Sequence, residues 1–242
     1  MKKLILLLLL LTVISAYAQI IIPNVDILKE NPVFIDIRAT EEYKKSHFEN
    51  SINLPMEYIQ EIVNNSNFNE IYSFFILTGV TKDRKVYILP ITTKDELIYI
   101  GSFAYMLHVM GMSYVYIITE DYKNLVDKGF PIANKGFKLT PATWEYRKNN
   151  TLISKEEYLK KAKAKDTLIL ELDKKDIISS LFNNDMLKRC EDIDKLLFAK
   201  KSKRKKYVII NSKDNVKLFF LKYLLSMSCG YGNVSLYKGE EN

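Results

Sequence analysis

The sequence VFIDIRATEEYKKSHFENSINLP at residues 33–55 decides the fold class of this chain. It begins with an apolar run at residues 33–37, which is typical of a strand buried on both faces of a sheet. Thr40, followed by two glutamates, indicates a helix start, because threonine can cap a helix and acids favour its first turn. A buried strand that leads into a helix indicates an α/β fold.

The same alternation continues along the chain. Strand-like runs lie at residues 86–89, 114–118, 167–172, 207–210 and 234–237, and helix-like segments lie at 69–77, 96–110, 122–128, 155–163 and 216–228. These spacings predict parallel sheets with helices on both faces. The pattern breaks at residues 136–150, around the single tryptophan, Trp144, and then starts again. We therefore predict two tandem domains, residues 19–135 and 151–242, joined by a linker at 136–150.

Residues 1–18 have the composition of a cleaved export signal. Two lysines precede an apolar run at residues 4–14, and Ala16-Tyr17-Ala18 places small residues where a signal peptidase cleaves. The alternative is a membrane anchor, but the run is shorter than the ~20 apolar residues of a spanning helix. We predict cleavage before Gln19 and a periplasmic or secreted protein.

Composition limits the remaining function classes. The 48% hydrophobic content excludes a disordered chain, and the loss of Lys2 and Lys3 with the signal lowers the formal charge from +7 to +5. Residues 200–206 form a dense basic run that could contact anionic lipid or an acidic protein, or could be a solvated loop. Nucleic acid is not an expected partner, because no aromatic residues interleave this run.

The opening stretch resembles the first segment of a rhodanese domain, the fold of thiosulfate and 3-mercaptopyruvate sulfurtransferases. The resemblance rests on Asp36-Ile37-Arg38, on Ser46-His47-Phe48, and on Ser-Ile-Asn-Leu-Pro at residues 51–55. It continues through residues 78–89, 103–118 and 224–239. It implies two tandem rhodanese-like domains, each a mostly parallel sheet with helices on both faces.

The resemblance also implies roles for individual residues. Asp36 and Arg38 match a pair that ties the strand end to the next helix, and His47 matches the structural histidine of the family. The second half is degenerate, because residues 171–173 read Glu-Leu-Asp where the family has Asp-x-Arg.

Sulfurtransferases of this family carry sulfur as a persulfide on one loop cysteine. A helix N-terminus and a ring of backbone N–H groups ionise that cysteine and hold its anionic substrate. The corresponding loop in the second half comprises Asn211, Ser212, Lys213, Asp214, Asn215 and Val216. We place Asn211 at the cysteine position, and Pro90 at its equivalent in the first half.

Asparagine cannot form a persulfide, so the loop is predicted to hold no catalytic residue. Ser212 could replace the cysteine only with a general base, and the two histidines, His47 and His108, lie far away in the sequence. The backbone N–H groups at residues 211–216 could still hold a small anion.

The cysteines, Cys190 and Cys229, leave several alternatives open. In an exported protein they could form a disulfide, or they could be two buried thiols. Cys229 could serve as a non-standard sulfurtransferase nucleophile, or the pair could be redox-active although no Cys-x-x-Cys motif is present. No metal or cofactor is predicted, because the sequence has no zinc-type Cys/His cluster and no glycine-rich phosphate loop.

The leading hypothesis is an exported, catalytically inactive rhodanese-like protein that binds a protein partner or a small anion. A sulfurtransferase that uses Cys229 and a redox protein that uses both cysteines are the alternatives.

Overall fold

The computed structural model describes residues 19–21, 25–145, 152–183, 186–198 and 207–239. The predicted signal at residues 1–18, the end of the predicted linker at 146–150 and the basic run at 200–206 lie outside the described residues. Within the described ranges, every helix is too short or too polar to cross a membrane.

The first half is built on a five-stranded parallel sheet. Its strands are β1 (Gln19–Ile21), β2 (Val33–Asp36), β3 (His47–Phe48), β4 (Ser51–Asn53), β5 (Val86–Leu89), β6 (Val115–Ile118) and β7 (Ile132–Ala133). Its helices are a 3₁₀ helix (Val25–Glu30), α1 (Thr40–Lys45), α2 (Met56–Asn65), α3 (Phe68–Thr78), α4 (Lys94–Val109) and α5 (Tyr122–Asp127). The strand order is β1-β6-β5-β2-β4, and β3 pairs with β7 in a small antiparallel ladder.

The second half has a separate three-stranded parallel sheet of order β12-β11-β8. Its elements are α6 (Lys155–Ala162), β8 (Thr167–Glu171), α7 (Ile177–Ser180), β9 (Phe182–Asn183), β10 (Met186–Leu187), α8 (Cys190–Phe198), β11 (Tyr207–Ser212), α9 (Asn215–Lys222), a π-helix (Tyr223–Ser228) and β12 (Val234–Lys238). The parallel sheets and the helices between their strands confirm the predicted α/β class.

Local capping explains several helix ends. Ser154 caps α6 by accepting the Glu157 backbone N–H, and Gly79 ends α3 in the left-handed conformation that glycine adopts without strain. The prediction for Thr40 is wrong: Ala39 is the N-cap of α1, and the Thr40 hydroxyl bonds the side chain of Asn53 instead. A hydrogen bond to the neighbouring strand has replaced the local cap.

Helices α4 and α9 pack directly against each other and join the two halves. A Cβ atom added at Gly101 would lie 2.8 Å from a Phe220 ring carbon and 3.0 Å from one of Tyr223, so only glycine fits without a shift. The Ser102 hydroxyl donates to the Val216 carbonyl at 2.9 Å. One apolar core extends across this contact.

The described part of the predicted linker packs on α3. Trp144 is buried, and its ring lies edge-on to Tyr72 with 5.2 Å between centroids. The Tyr72 hydroxyl donates to the Trp144 carbonyl at 2.6 Å. A Cβ atom at Gly79 would lie 2.3 Å from the Thr140 carbonyl oxygen, so the chain passes close over this glycine. Residues 136–145 therefore contribute to the core of the first half.

Candidate functional site

Two equivalent loops follow the central strands of the two sheets. The first loop, residues 90–95, connects β5 to α4, and the second loop, residues 211–216, connects β11 to α9. Each central strand lies between two parallel neighbours. The loops therefore emerge at the carboxyl edges of their sheets, where ligands of open α/β folds bind.

Strand register locates the nucleophile position within the second loop. Asp36 pairs with Leu89 in the first sheet, and Glu171 pairs with Asn211 in the second. If the two acids correspond, as their motifs indicate, Asn211 is the equivalent of Leu89. Ser212 then takes the place that follows Leu89, one residue beyond the position inferred from the sequence.

Asn211 is a half-buried link between two strands. Its side-chain amide donates to Glu171 Oε2 at 2.8 Å, and the Tyr158 hydroxyl lies 3.3 Å from Oε1 of the same carboxylate. Tyr158 in turn stacks on Tyr237 with ring centroids 4.1 Å apart. The side-chain amide of Asn211 therefore links β11 to β8.

Ser212 is fully buried, with 0% of its surface exposed. Its hydroxyl donates to Asp173 Oδ1 at 2.7 Å, and its oxygen accepts the Asp214 backbone N–H at 3.1 Å. A hydroxyl that is buried and fully bonded is not presented to a substrate.

The carboxylate of Asp173 binds the second loop through both of its oxygens. Its second carboxylate oxygen accepts the Lys213 backbone N–H at 2.8 Å. Burial raises the pKa of Asp173, but the hydrogen bonds from Ser212 and Lys213 and the positive charge of Lys217 outweigh it and lower the pKa overall. The carboxylate is therefore ionised at neutral pH. The chain supplies its own anion at this loop.

The N-terminus of α9 is capped by a second carboxylate. Asp214 Oδ1 accepts the backbone N–H groups of Val216 at 2.8 Å and Lys217 at 3.2 Å. Asn215 lies 3.4 Å from the Asn64 carbonyl at the end of α2, and the Val216 side chain is buried. Two backbone N–H groups in the first turn of α9, which have no carbonyl partner within the helix, therefore donate to its own N-cap residue.

The first loop follows the same principle. Glu96 Oε2 accepts the backbone N–H groups of Thr92 at 2.7 Å and Thr93 at 2.9 Å, and Thr93 completes a capping box with Glu96. In both loops backbone N–H groups bind carboxylates of the chain itself, those of Thr92 and Thr93 in the first loop and those of Lys213 and Val216 in the second. The arrangement suits rigid turns and disfavours a bound anion or a thiolate, which would meet a like charge.

The residues that the family resemblance marks as structural form a buried cluster in the first half. Asp36 is fully buried and makes a bidentate contact with Arg38, with Arg38 Nη2 2.6 Å from Asp36 Oδ2. Burial lowers the pKa of Arg38, but hydrogen bonds to Asp36 raise it overall. The guanidinium also donates to the Ser46 carbonyl at 2.8 Å and lies 3.6 Å from the centre of the Tyr122 ring.

His47 lies next to this cluster and is buried. Its ring stacks on Tyr43 at 4.1 Å, and its nitrogens lie 2.8 Å from the Tyr43 carbonyl and 3.1 Å from the Lys135 carbonyl. These contacts connect α1 to the strand pair β3–β7. The geometry fits a structural histidine.

Cys190 and Cys229 form a disulfide, with 5.5 Å between their Cα atoms. Cys229 precedes β12, whereas Ser212 ends β11, and the two parallel strands pair Ser212 with Lys238. The disulfide therefore lies at the amino edge of the second sheet, opposite the second loop. Among the described residues neither a free thiol nor a cluster of three metal-ligating side chains is present.

Sequence reasoning missed the carboxylates that close the loops. Thr93 and Glu96 have the spacing of a capping box, a signal that could have identified the first closure. Asp173 carries no local signal, because its loop partners lie about 40 residues away.

Comparison with known proteins identifies the family of the first half. Residues 25–128, fewer than half of the chain, match the model of the rhodanese-like domain. No curated protein matches the chain.

Solved structures extend the likeness beyond the first half. SseA from Escherichia coli, a 3-mercaptopyruvate sulfotransferase, matches with a TM-score of 0.64 and 14% identity over 93% of this chain and 100% of that chain. YnjE matches with a TM-score of 0.57 and 12% identity over 90% of this chain and 64% of that chain. EanB, solved with ergothioneine, matches at 0.56 and 12%, over 85% of this chain and 60% of its own.

The present chain thus spans less than two thirds of YnjE and EanB. Identities this low establish the fold alone. Residues 25–128 thus match the rhodanese-like domain, and the chain has the α/β rhodanese fold.

Proposed function

We propose that this chain is an exported tandem rhodanese-like protein that lacks sulfurtransferase activity and binds a protein partner. The observation that supports the proposal is that the hydroxyl of the buried Ser212 and the backbone N–H of Lys213, both in the second loop, bind the carboxylate of Asp173. A persulfide needs a cysteine sulfur and a site that favours negative charge. The loop supplies neither.

The tandem arrangement is supported by internal correspondence. Each half has a central parallel strand, a following loop and a helix, and the two helices, α4 and α9, pack on each other. The likeness to SseA covers 93% of the chain. The second half is the reduced copy, with three strands against five.

Export is supported by the disulfide. Such bonds persist in oxidising compartments and are rare in the cytosol. Together with the signal-like residues 1–18, the Cys190–Cys229 bond favours a periplasmic or secreted protein.

A protein partner is favoured over a small anion at the second loop. An anion there would compete with two carboxylates, Asp173 and Asp214, for the same backbone donors. A folded partner needs no such vacancy, because it can contact the exposed side chains of Lys213 and Asp173.

The test is a thiosulfate:cyanide assay on the purified chain starting at Gln19, with an active rhodanese as positive control. We expect no thiocyanate above the level of a Cys190→Ser/Cys229→Ser variant. Turnover that disappears with Cys229→Ser would establish the Cys229 sulfurtransferase instead. Repeating the assay with the disulfide reduced extends the test to the thiol form.

A further inference from the structure

A cleft of about 810 Å³ lies between the two halves, away from both loops. Its walls come from the carboxyl end of α4, the start of α6, the junction of α9 with the π-helix, and the residues around the start of β12. Helix α4 begins just after the first loop and ends at this cleft, and its 16 residues span about 24 Å. The cleft is thus separate from the site where rhodaneses carry sulfur.

Lys222 lies in the wall of this cleft without a carboxylate partner. Its side chain is half-buried, and its nitrogen donates to the Val234 carbonyl. In the described part of the chain no carboxylate forms an ion pair with it. The other lysine of the cleft, Lys161, is paired with Glu157 at 2.8 Å. A charge removed from water without an opposite charge is costly, so the surroundings of Lys222 favour its neutral amine.

The titratable groups that face Lys222 from other elements do not restore its positive charge. Burial, followed by the charge of Lys222, lowers the pKa of His108 in α4, so the two groups lie near each other and the imidazole is neutral at pH 7. On α6, Lys161 and Glu157 neutralise each other. Burial lowers the pKa of Lys222 from 10.5 to about 8. The neutral fraction of Lys222 at pH 7 is then on the order of a hundred times larger than that of an ordinary lysine.

A neutral lysine amine inside a cavity is a nucleophile for carbonyl carbons. Burial is how proteins activate lysines that form Schiff bases, because the free amine attacks and the ammonium does not. The exposed lining of the cleft is mainly polar and includes Ser154, Glu157, Lys161 and Ser235. Such groups orient a ligand through hydrogen bonds, which favours a carbonyl compound that carries hydroxyl groups over one with a hydrocarbon chain.

We propose that Lys222 is a covalent binding site for a small polar aldehyde, which this cleft holds as a Schiff base. The amine nitrogen bonds to the carbonyl carbon, and the carbonyl π bond breaks to give a carbinolamine. The carbinolamine oxygen then leaves as water together with both protons of the amine nitrogen, and a C=N bond remains. The neutral ring of His108 can accept one of these protons and return it to the leaving hydroxyl. This site is independent of the proposed function, because it involves neither loop.

The first experiment measures the reactivity of each lysine in the chain starting at Gln19. The protein is incubated at pH 7 with glyceraldehyde and cyanoborohydride, which reduces an imine to a stable secondary amine, and peptide mass spectrometry gives the initial rate at each lysine. Lys222 should be labelled about tenfold faster than the exposed Lys160 of α6. The preference should disappear in urea and should shrink at pH 10, where ordinary lysines also have neutral amines.

The second experiment tests the class of aldehyde and the residue. Butanal, the apolar counterpart of glyceraldehyde, should show a smaller preference for Lys222. Lys222→Met should remove the fast phase of labelling, whereas the matched variant Lys160→Met should keep it. Labelling of Lys222 no faster than that of Lys160, equal preference with both aldehydes, or a fast phase that survives Lys222→Met would overturn the proposal. If Lys222→Met does not fold, the site-resolved rates of the unchanged chain still decide.

Discussion

The two sheets of this protein differ in the residues that follow strands β2 and β8. In the first half, Asp36 and Arg38 close on each other, and the arginine reaches on to the Ser46 carbonyl at 2.8 Å. In the second half the residue two positions after β8 is an aspartate, Asp173. It reaches across to the loop of the neighbouring strand, where it binds Ser212 and the Lys213 N–H.

This difference shows how one residue after a strand determines which groups the neighbouring loop binds. An arginine at the strand end makes its hydrogen bonds with groups close to that strand and does not bind the loop. An aspartate at this position accepts hydrogen bonds instead of donating them. The nearest strong donors are the N–H groups of the loop, which could otherwise bind an anionic substrate. The carboxylate of Asp173 therefore stabilises the second loop and opposes anion binding there.

The halves also differ in size. Among the described residues, the parallel sheet of the first half has five strands, whereas that of the second half has three, and the second half also has the Cys190–Cys229 disulfide. A small core buries too little apolar surface to be stable alone, and cross-links commonly compensate. The disulfide thus lies in the half with the smaller parallel sheet, where a cross-link adds most to stability.

The largest expected effect is on the buried ion pair of the first half. Asp36→Ala leaves Arg38 partly buried without its carboxylate, which should cost about 3–5 kcal/mol. For a chain of this length that corresponds to a fall in Tm of roughly 10 °C. The matched variant in the second half, Asp173→Ala, removes an exposed acceptor and should cost only about 1 kcal/mol. Thermal unfolding of both variants measures the contrast, and equal losses would remove the distinction between the two corners.

The disulfide should have the next largest effect. It closes a loop with a sequence separation of 39 residues, so its removal should cost about 3–4 kcal/mol. In Cys190→Ser/Cys229→Ser, hydrogen exchange should become faster in β11 while β5 keeps its protection. Equal acceleration in both central strands would show that the bond supports the whole chain and not the reduced half.

A smaller effect distinguishes the helices that follow the two loops. Ile100 in α4 and Lys222 in α9 lie equally far after Pro90 and Ser212, and Ile100 is fully buried. Burial lowers the pKa of Lys222 from 10.5 to about 8. Between pH 8 and 10 the unfolded chain thus binds more protons than the folded chain, so stability gains from rising pH over this range.

Lys222→Met removes this linkage. The variant should be more stable than the parent at pH 7, and its advantage should shrink as the pH rises to 10. Solvent screens the partly buried ammonium of Lys222, so this effect on stability should be smaller than those of Asp36→Ala and of the disulfide removal. Urea unfolding at pH 7, 8, 9 and 10 measures it. A constant difference between the two proteins would mean that Lys222 titrates normally in the folded chain.

Much of the fold was predictable from local pattern. The apolar runs at residues 86–89 and 207–210 fall within β5 and β11, because a strand buried on both faces leaves an uninterrupted apolar signature. Gly79 and Ser154 mark helix ends through backbone geometry and capping that a few neighbouring residues determine.

The site was less predictable, because it depends on register and on distant partners. β11 continues through Asn211 to Ser212, and an apolar run cannot show by itself where such a strand stops pairing. That single residue changes which side chain of the second loop follows the strand pairing as Pro90 does in the first. The role of Asp173 depends on a partner about 40 residues away, so no spacing rule in the sequence reveals it.

The most direct test of the account places a cysteine at the nucleophile position. Ser212→Cys and Ser212→Cys/Asp173→Ala are treated with thiosulfate, and peptide mass spectrometry locates any added sulfur, roughly 32 Da, at position 212. Asp166→Ala, combined with Ser212→Cys, is the control for loss of an exposed acid. The account predicts no adduct while Asp173 is present and an adduct once it is removed. A persulfide on Ser212→Cys with Asp173 in place would contradict the claim that this carboxylate fills the anion site.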